Sequence, residues 1–222
     1  MGGCVRHLSM PAADRPQLRS SLVSVDVLAL RFSRAARQLE LGVAARAWDP
    51  FRDQLALPGV LLGDGERLRD AAVRALTGKL GLAVGDIRGV GQVVTFDEPN
   101  RDPRGPTLSV AMWATVNNAG AATWVNLDQL PALAFDHNRI AADCRAILAG
   151  ALWRDPVFSR GLTGDRFPTA DAVDITASLT GSPPDRGNLN RTLRSLPGLH
   201  RTDERVAARA TGRPAAVWEW DG

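Results

Sequence analysis

The chain has 222 residues, 45% of them hydrophobic and 23% charged, with a formal net charge of +3. That length suits one large domain or two small ones, and the composition is too apolar for wholesale disorder. Lys79 is the only lysine among 27 basic residues. A GC-rich coding sequence explains that usage, so the basic total alone points to no partner.

No run approaches the ~18 apolar residues of a membrane span. Cys4 and Cys144 make no disulfide framework. The start, MGGCVRHLSM, has no apolar core of signal-peptide length, and Arg6 stands where a myristoylation signal needs Ser or Thr. The expected setting is soluble, reducing and cytoplasmic, with no membrane partner.

In chain order, residues 1–19 mix Gly, Pro, Arg and Ser without a period and are expected to form a disordered tail. SLVSVDVLAL (21–30) and QLELGVAAR (38–46) read as strands, and 49–59 as a loop closing on Leu-Pro-Gly. In GERLRDAAVRALTGKLGL (65–82), Leu68, Ala71, Ala72, Ala75, Leu76 and Leu80 recur at helical steps. The opposite face carries Glu66, Arg67, Arg69, Asp70, Arg74, Gly78 and Lys79. IRGVGQVVTF (87–96) and TLSVAMWATV (107–116) are strands flanking a loop with three prolines.

A helix over 135–152 turns Ile140, Cys144, Ile147, Leu148 and Leu152 inward. WRDPVFSRGLTGDRFP then breaks the pattern and sets the expected boundary, giving domains over 20–155 and 156–222. Beyond it, 168–181 is a helix opened by Pro168 and Thr169 and stopped by Gly181, and 185–196 a second with Leu189, Leu193 and Leu196 inward. Residues 199–220 read as a hairpin with a basic, Gly-containing tip. Helix, tight turn, basic helix and basic hairpin make a winged helix-turn-helix. Over 186–213, seven arginines face Asp203 and Glu204, a local balance of +5.

LPGVLLGDGERLRDAAVRALTGKLGL (57–82) resembles the Nudix box, G-x5-E-x7-R-E-U-x-E-E-x-G-U, with Glu66, Arg74, Leu76, Gly81 and Leu82 matching. Val60 replaces the first Gly, Ala75 the Glu after the Arg, and Gly78 and Lys79 the Glu pair. In active members those glutamates bind divalent metal, which wants hard oxygen ligands. The remaining pair, Glu66 and Arg74, reads as a structural ion pair, and the expected catalytic and metal residues are none.

FDEPNRDPRGPTLSVAMWA (96–114) is similar to ADP-ribose-type Nudix proteins, and LPALAFDHNRI (130–140) to Nudix-related transcriptional regulators. The resemblance, over about residues 22–220, implies an α+β protein: a Nudix-like α/β/α sandwich with a mixed sheet, followed by a winged helix. It implies a homodimeric repressor of NAD-biosynthesis or salvage genes on a palindromic operator. The effector would be ADP-ribose or a related NAD metabolite, and no cofactor is required.

Arg46, Glu66, Arg101 and Arg104 are the ligand-binding candidates. Arg186, Asn188, Asn190, Arg191 and Arg194 are the DNA-reading candidates, with Arg209 and Arg213 on the wing. Gly187, Asn190 and Thr192 depart from the basic residues common in that helix. His137 is expected to be a structural histidine, and the tryptophans of WEW (218–220) to be hairpin packing. The alternative is an ADP-ribose pyrophosphatase using Glu66, Glu98 and Asp70. A third reading is an interaction module independent of nucleic acid.

Overall fold

The fold is that of a computed structural model, which describes residues 21–118, 120, 122–207 and 214–222. The expected tail at 1–19 and the wing-tip residues Arg209 and Arg213 lie outside these. Two strands with nearly continuous apolar sequence form the centre, as expected where a sheet is covered on both faces. β1 (Leu22–Ser33) pairs in parallel with β6 (Thr107–Val116), Val25 opposite Val110 and Leu28 opposite Trp113.

Antiparallel strands extend the sheet on both sides. β5 (Ile87–Phe96) lies beyond β6, and β2 (Gln38–Ala45) beyond β1, giving the order β3-β2-β1-β6-β5. Three short strands complete it: β3 (Leu55–Ala56) on β2, β4 (Gly59–Leu61) on β1 and β7 (Thr123–Asn126) on β2. β3 and the start of β4 fall inside the segment expected to be a loop, and β7 had no sequence signal of its own.

Alternation of side chains divides the core. Val25, Val27 and Ala29 of β1, with Val110, Met112 and Ala114 of β6, meet Ala71, Ala72, Ala75 and Leu76 of helix α1 (Leu68–Leu80). Leu28, Leu30, Ala111 and Trp113 face the other way, toward α2 (His137–Ala151) and α3 (Pro156–Thr163). The result is helix on sheet on helix. Trp113 meets Phe158 of α3 edge-on at 5.0 Å, and a side chain at Gly91 of β5 would strike the Trp113 indole at 2.5 Å. Ile147, expected inward on α2, is 45% exposed.

α3 occupies the stretch expected to break pattern. Asp155 caps it by accepting from the Val157 and Phe158 amides, with Pro156 at the first helical position. After β8 (Arg166–Pro168) come α4 (Thr169–Thr180), α5 (Arg186–Ser195), β9 (Leu199–Val206) and β10 (Ala215–Trp220). The second sheet runs β8-β10-β9. Asp185 caps α5 through the Asn188 amide at 2.7 Å. Trp218 and Trp220 are buried, their indoles donating to Thr169 and Thr163. One apolar core continues from Leu28 and Trp113 through Phe158 and Ile175 to Leu193 and Trp220, across the 155/156 position.

Candidate functional site

The end of β2, the loop before β6 and the start of α2 converge on one ring, Phe135. Phe51 meets it edge-on at 4.8 Å, and His137 lies 5.3 Å from it. Phe51 and Phe135 both have left-handed backbones, φ 64 and 55. The Arg46 guanidinium sits 4.5 Å from the Phe135 centroid and that of Arg104 5.6 Å. Arg46 donates to the carbonyls of Pro50 and Trp48, and burial followed by the charge of Arg104 lowers its pKa.

Arg104 forks onto Asp102, at 3.0 Å from Nε and 2.6 Å from Nη2. Burial pushes the Asp102 carboxyl up, but the Arg104 hydrogen bonds outweigh it and the net shift is downward. The Arg104 side chain stays 42% exposed.

Beneath these lies a buried polar network. Arg101 is 5% exposed at its side chain and pairs with Asp136 through Nε at 3.1 Å and Nη2 at 2.7 Å. Of the two roles the sequence leaves open for Arg101, ligand contact or decoration of a solvated loop, the second does not hold: its guanidinium is enclosed. The partner is 35 residues away, beyond the reach of local pattern.

Asp26 accepts from Ser24 and Ser109 and lies 3.9 Å from Arg101. His137 Nδ1 accepts the Leu57 amide at 3.0 Å and so carries no proton itself, while burial holds the pKa of the ring below the ordinary value. Its proton is therefore on Nε2, 3.8 Å from Asp26. The histidine is thus buried with both ring nitrogens facing protein groups. Three arginines (46, 101, 104) stand against three aspartates (26, 102, 136), and Arg46 and Arg104 are the two that edge the ring.

Glu66 is elsewhere. Its carboxylate accepts two bonds from Arg74, at 2.8 and 2.7 Å, and one from the Gly63 amide, and the Arg74 bonds foremost bring its pKa down to about 2. This is the ion pair expected from the spacing, and it ties the 63–66 loop to α1. Ala75 is fully buried against the sheet, while nothing lies within 4 Å of a side chain at Gly78. Glu98 pairs with Arg139. Among the described residues, no three His, Cys, Asp or Glu side chains converge as a metal site.

The C-terminal surface has a different charge order. Arg31, Arg34, Arg37, Arg139 and Arg145 each face an acid. On α5 and β9, Arg186, Arg194, Arg201 and Arg205 are exposed, with no acidic partner among the described residues. Arg191 donates to Asn188 at 2.9 Å, its one partner among the described residues. Asn190 is half-buried and donates back to the Arg186 carbonyl, an internal helix contact. Glu204, which offsets this charge in sequence, is taken up by Arg166.

No family model matches the chain. Over 105 residues it is 34% identical to the ADP-ribose pyrophosphatase of Methanocaldococcus jannaschii, an overlap covering 43% of this chain and 59% of that one. The chain thus spans about three-fifths of the length of this curated relative. NrtR of Shewanella oneidensis is similar at a TM-score of 0.70 and 23% identity, covering 90% of this chain and 94% of that one. The same protein complexed with a 27mer DNA gives 0.71 and 22%, covering 90% and 93%. The chain therefore has the NrtR fold: a Nudix-like mixed sheet with its helices, then a small three-stranded sheet with helices. No helix among the described residues is long and apolar enough to cross a membrane.

Proposed function

We propose that this chain is a DNA-binding transcriptional regulator whose Nudix-like domain senses ADP-ribose or a related NAD metabolite without hydrolysing it. The observation that carries the reading is a cluster of arginines on α5 and β9. Arg186, Arg194, Arg201 and Arg205 are exposed there with no acidic partner among the described residues, and phosphates are the natural counter-charge. The fold shared with a protein crystallised on DNA supports it. So does the Phe135 cluster, which we take as the ligand cleft: there Arg46 and Arg104 flank an aromatic ring and offer guanidinium donors to a nucleotide diphosphate. Repression of NAD-biosynthesis or salvage genes, and a homodimer on a palindromic operator, complete the proposal.

The silent box follows from residue chemistry. Pyrophosphate hydrolysis in this fold needs hard oxygen ligands for a divalent ion. Ala75 and Gly78 have none, Lys79 brings a positive charge, and Glu66 is engaged by Arg74.

A second reading, an ADP-ribose pyrophosphatase, is favoured by the 34% identity to an enzyme of that name. Two assays on one preparation separate them. The regulator binds a selected DNA duplex and releases no AMP from ADP-ribose with Mg²⁺ or Mn²⁺. Metal-dependent AMP release that Glu66→Gln abolishes would overturn the silent box.

A further inference from the structure

Arginines from the large sheet and from α2 reach across to a single helix, α4. The turn between β1 and β2 carries Arg34 and Arg37. Arg34 donates to Asp171 at 2.7 Å and to the carbonyls of Thr163 and Arg166. Arg37 grips Asp174 through Nε at 2.9 Å and Nη2 at 2.6 Å. The Leu39 amide donates to Ser178 Oγ at 3.3 Å. From α2, Arg145 donates to the carbonyls of Ser178 and Leu179 and to Asp128. Residues 171, 174 and 178 are three and four apart, so they form one stripe along α4.

The elements that hold this stripe have their other ends in the cleft. β2 leaves the turn at Gln38 and ends at Ala45, with Arg46 next in the chain. α2 starts at His137, directly after Asp136, the partner of Arg101; Arg145 follows about 12 Å along the helix axis. α4 in turn seats α5, because Leu189 and Leu193 share a core with Ile175 and Leu179. Beside the joint runs a groove of about 380 Å³, lined by Arg37, Gln38, Asp128, Asp174, Ser178 and Pro183. It leaves room on that flank of α4.

The geometry points to a coupling latch: ligand seated between Arg46 and Arg104 acts through β2 and α2 on the arginine grip of α4, and so on the placement of α5. This rests on the function proposed above. A strand and a helix packed at close density move as units, so displacement at the cleft end reaches the other end. Bidentate guanidinium–carboxylate bonds are directional, so a small shift exchanges one set of partners for another.

The test uses the full chain, ADP-ribose as probe ligand and a DNA duplex selected from a randomised pool by the wild type. Saturating ADP-ribose is expected to change wild-type DNA affinity by about 5- to 150-fold. In Arg37→Gln, and in Arg34→Gln with Arg37→Gln, that factor falls below about twofold while each ligand alone binds within about threefold of wild type. The charge exchange Arg37→Asp with Asp174→Arg restores part of the factor. Amide exchange supplies a reading without DNA: ADP-ribose alters protection across 169–180 in the wild type and not in the glutamine variants.

Glutamine variants that keep the full factor overturn the latch and leave the proposed function standing. Variants that lose DNA binding without ligand also overturn it, since the grip is then only structural. A wild type in which neither ligand affects the other overturns both latch and regulator.

Discussion

Arg46, Arg101 and Arg104 read alike in the sequence, yet their surroundings give them different work. Arg101 is closed in with Asp26 and Asp136, while Arg46 and Arg104 border the Phe135 ring with part of their donors turned outward. Arg46→Ala and Arg104→Ala are each expected to weaken ADP-ribose binding about ten- to hundredfold by calorimetry, since a hydrogen bond to a charged group is worth about 1.5–3 kcal/mol. Arg101→Ala is expected to appear as lost stability, up to about 3–5 kcal/mol in urea unfolding, because it takes the counter-charge from buried Asp26 and half-buried Asp136. Equal loss of affinity at unchanged stability in all three would reject this division. Glu66 permits a test by pH. Its folded pKa of about 2 lies below the ordinary 4.5, so the folded state holds its proton less tightly than the unfolded chain. The stabilisation is complete above about pH 4.5 and is lost as pH falls toward about 2. The stability gap between wild type and Glu66→Gln should therefore be flat at higher pH and close across that window. A gap constant down to pH 2 would show that the Arg74 clamp does not act through the Glu66 charge.

The helices and strands show which parts of the architecture were legible. β5 and β6 match the expected 87–96 and 107–116 because long β-branched and apolar runs dominate any local preference. β3, β4 and β7 have two to four residues each, too few for a period to show, and exist because neighbouring strands supply their partners. At α3, Pro156 reads as a breaker, yet after a capping aspartate it starts the helix. Burial of Ala75 against the sheet also escapes the motif comparison, which treats that position as a lost ligand. Two glycines make this context measurable. Gly78 of α1 has open space around it, so Gly78→Ala should stabilise by about 1 kcal/mol through helix propensity. Gly161 of α3 packs onto Thr115 of β6, where a methyl group would sit 2.0 Å from the hydroxyl oxygen. Gly161→Ala should reverse the sign and cost about 1–3 kcal/mol. Thermal unfolding of the two variants decides it. Stabilisation by both would mean α3 does not press on the sheet as described.

At the scale of the whole molecule, one of the two apolar cores runs from the large sheet into the C-terminal helices, while α5 and β9 carry exposed arginines with no acidic partner among the described residues. The sequence made this surface visible as a run of arginines but could not show that Arg166 removes Glu204 from the balance, or that Asn190 turns back onto its own helix. Those contacts refine the expected roles on DNA. Arg186 and Arg194 have no acidic partner among the described residues, so each should contribute to phosphate or guanine contact. Arg191 donates to Asn188 Oδ1, which on the proposed reading would orient the amide for a base edge. Arg194→Ala should weaken binding to all duplexes alike and reduce the slope of log affinity against log salt by about one. Asn188→Ala should cost about 1–3 kcal/mol on the selected duplex and little on random DNA. Asn190→Ala should change specificity least, since its amide is spent inside α5. Competition binding at two salt concentrations measures all three variants. If Asn190→Ala alters sequence preference more than Asn188→Ala does, the face of α5 turned toward the bases is not the one assigned here, and if none of the three departs from wild type, α5 does not enter the groove.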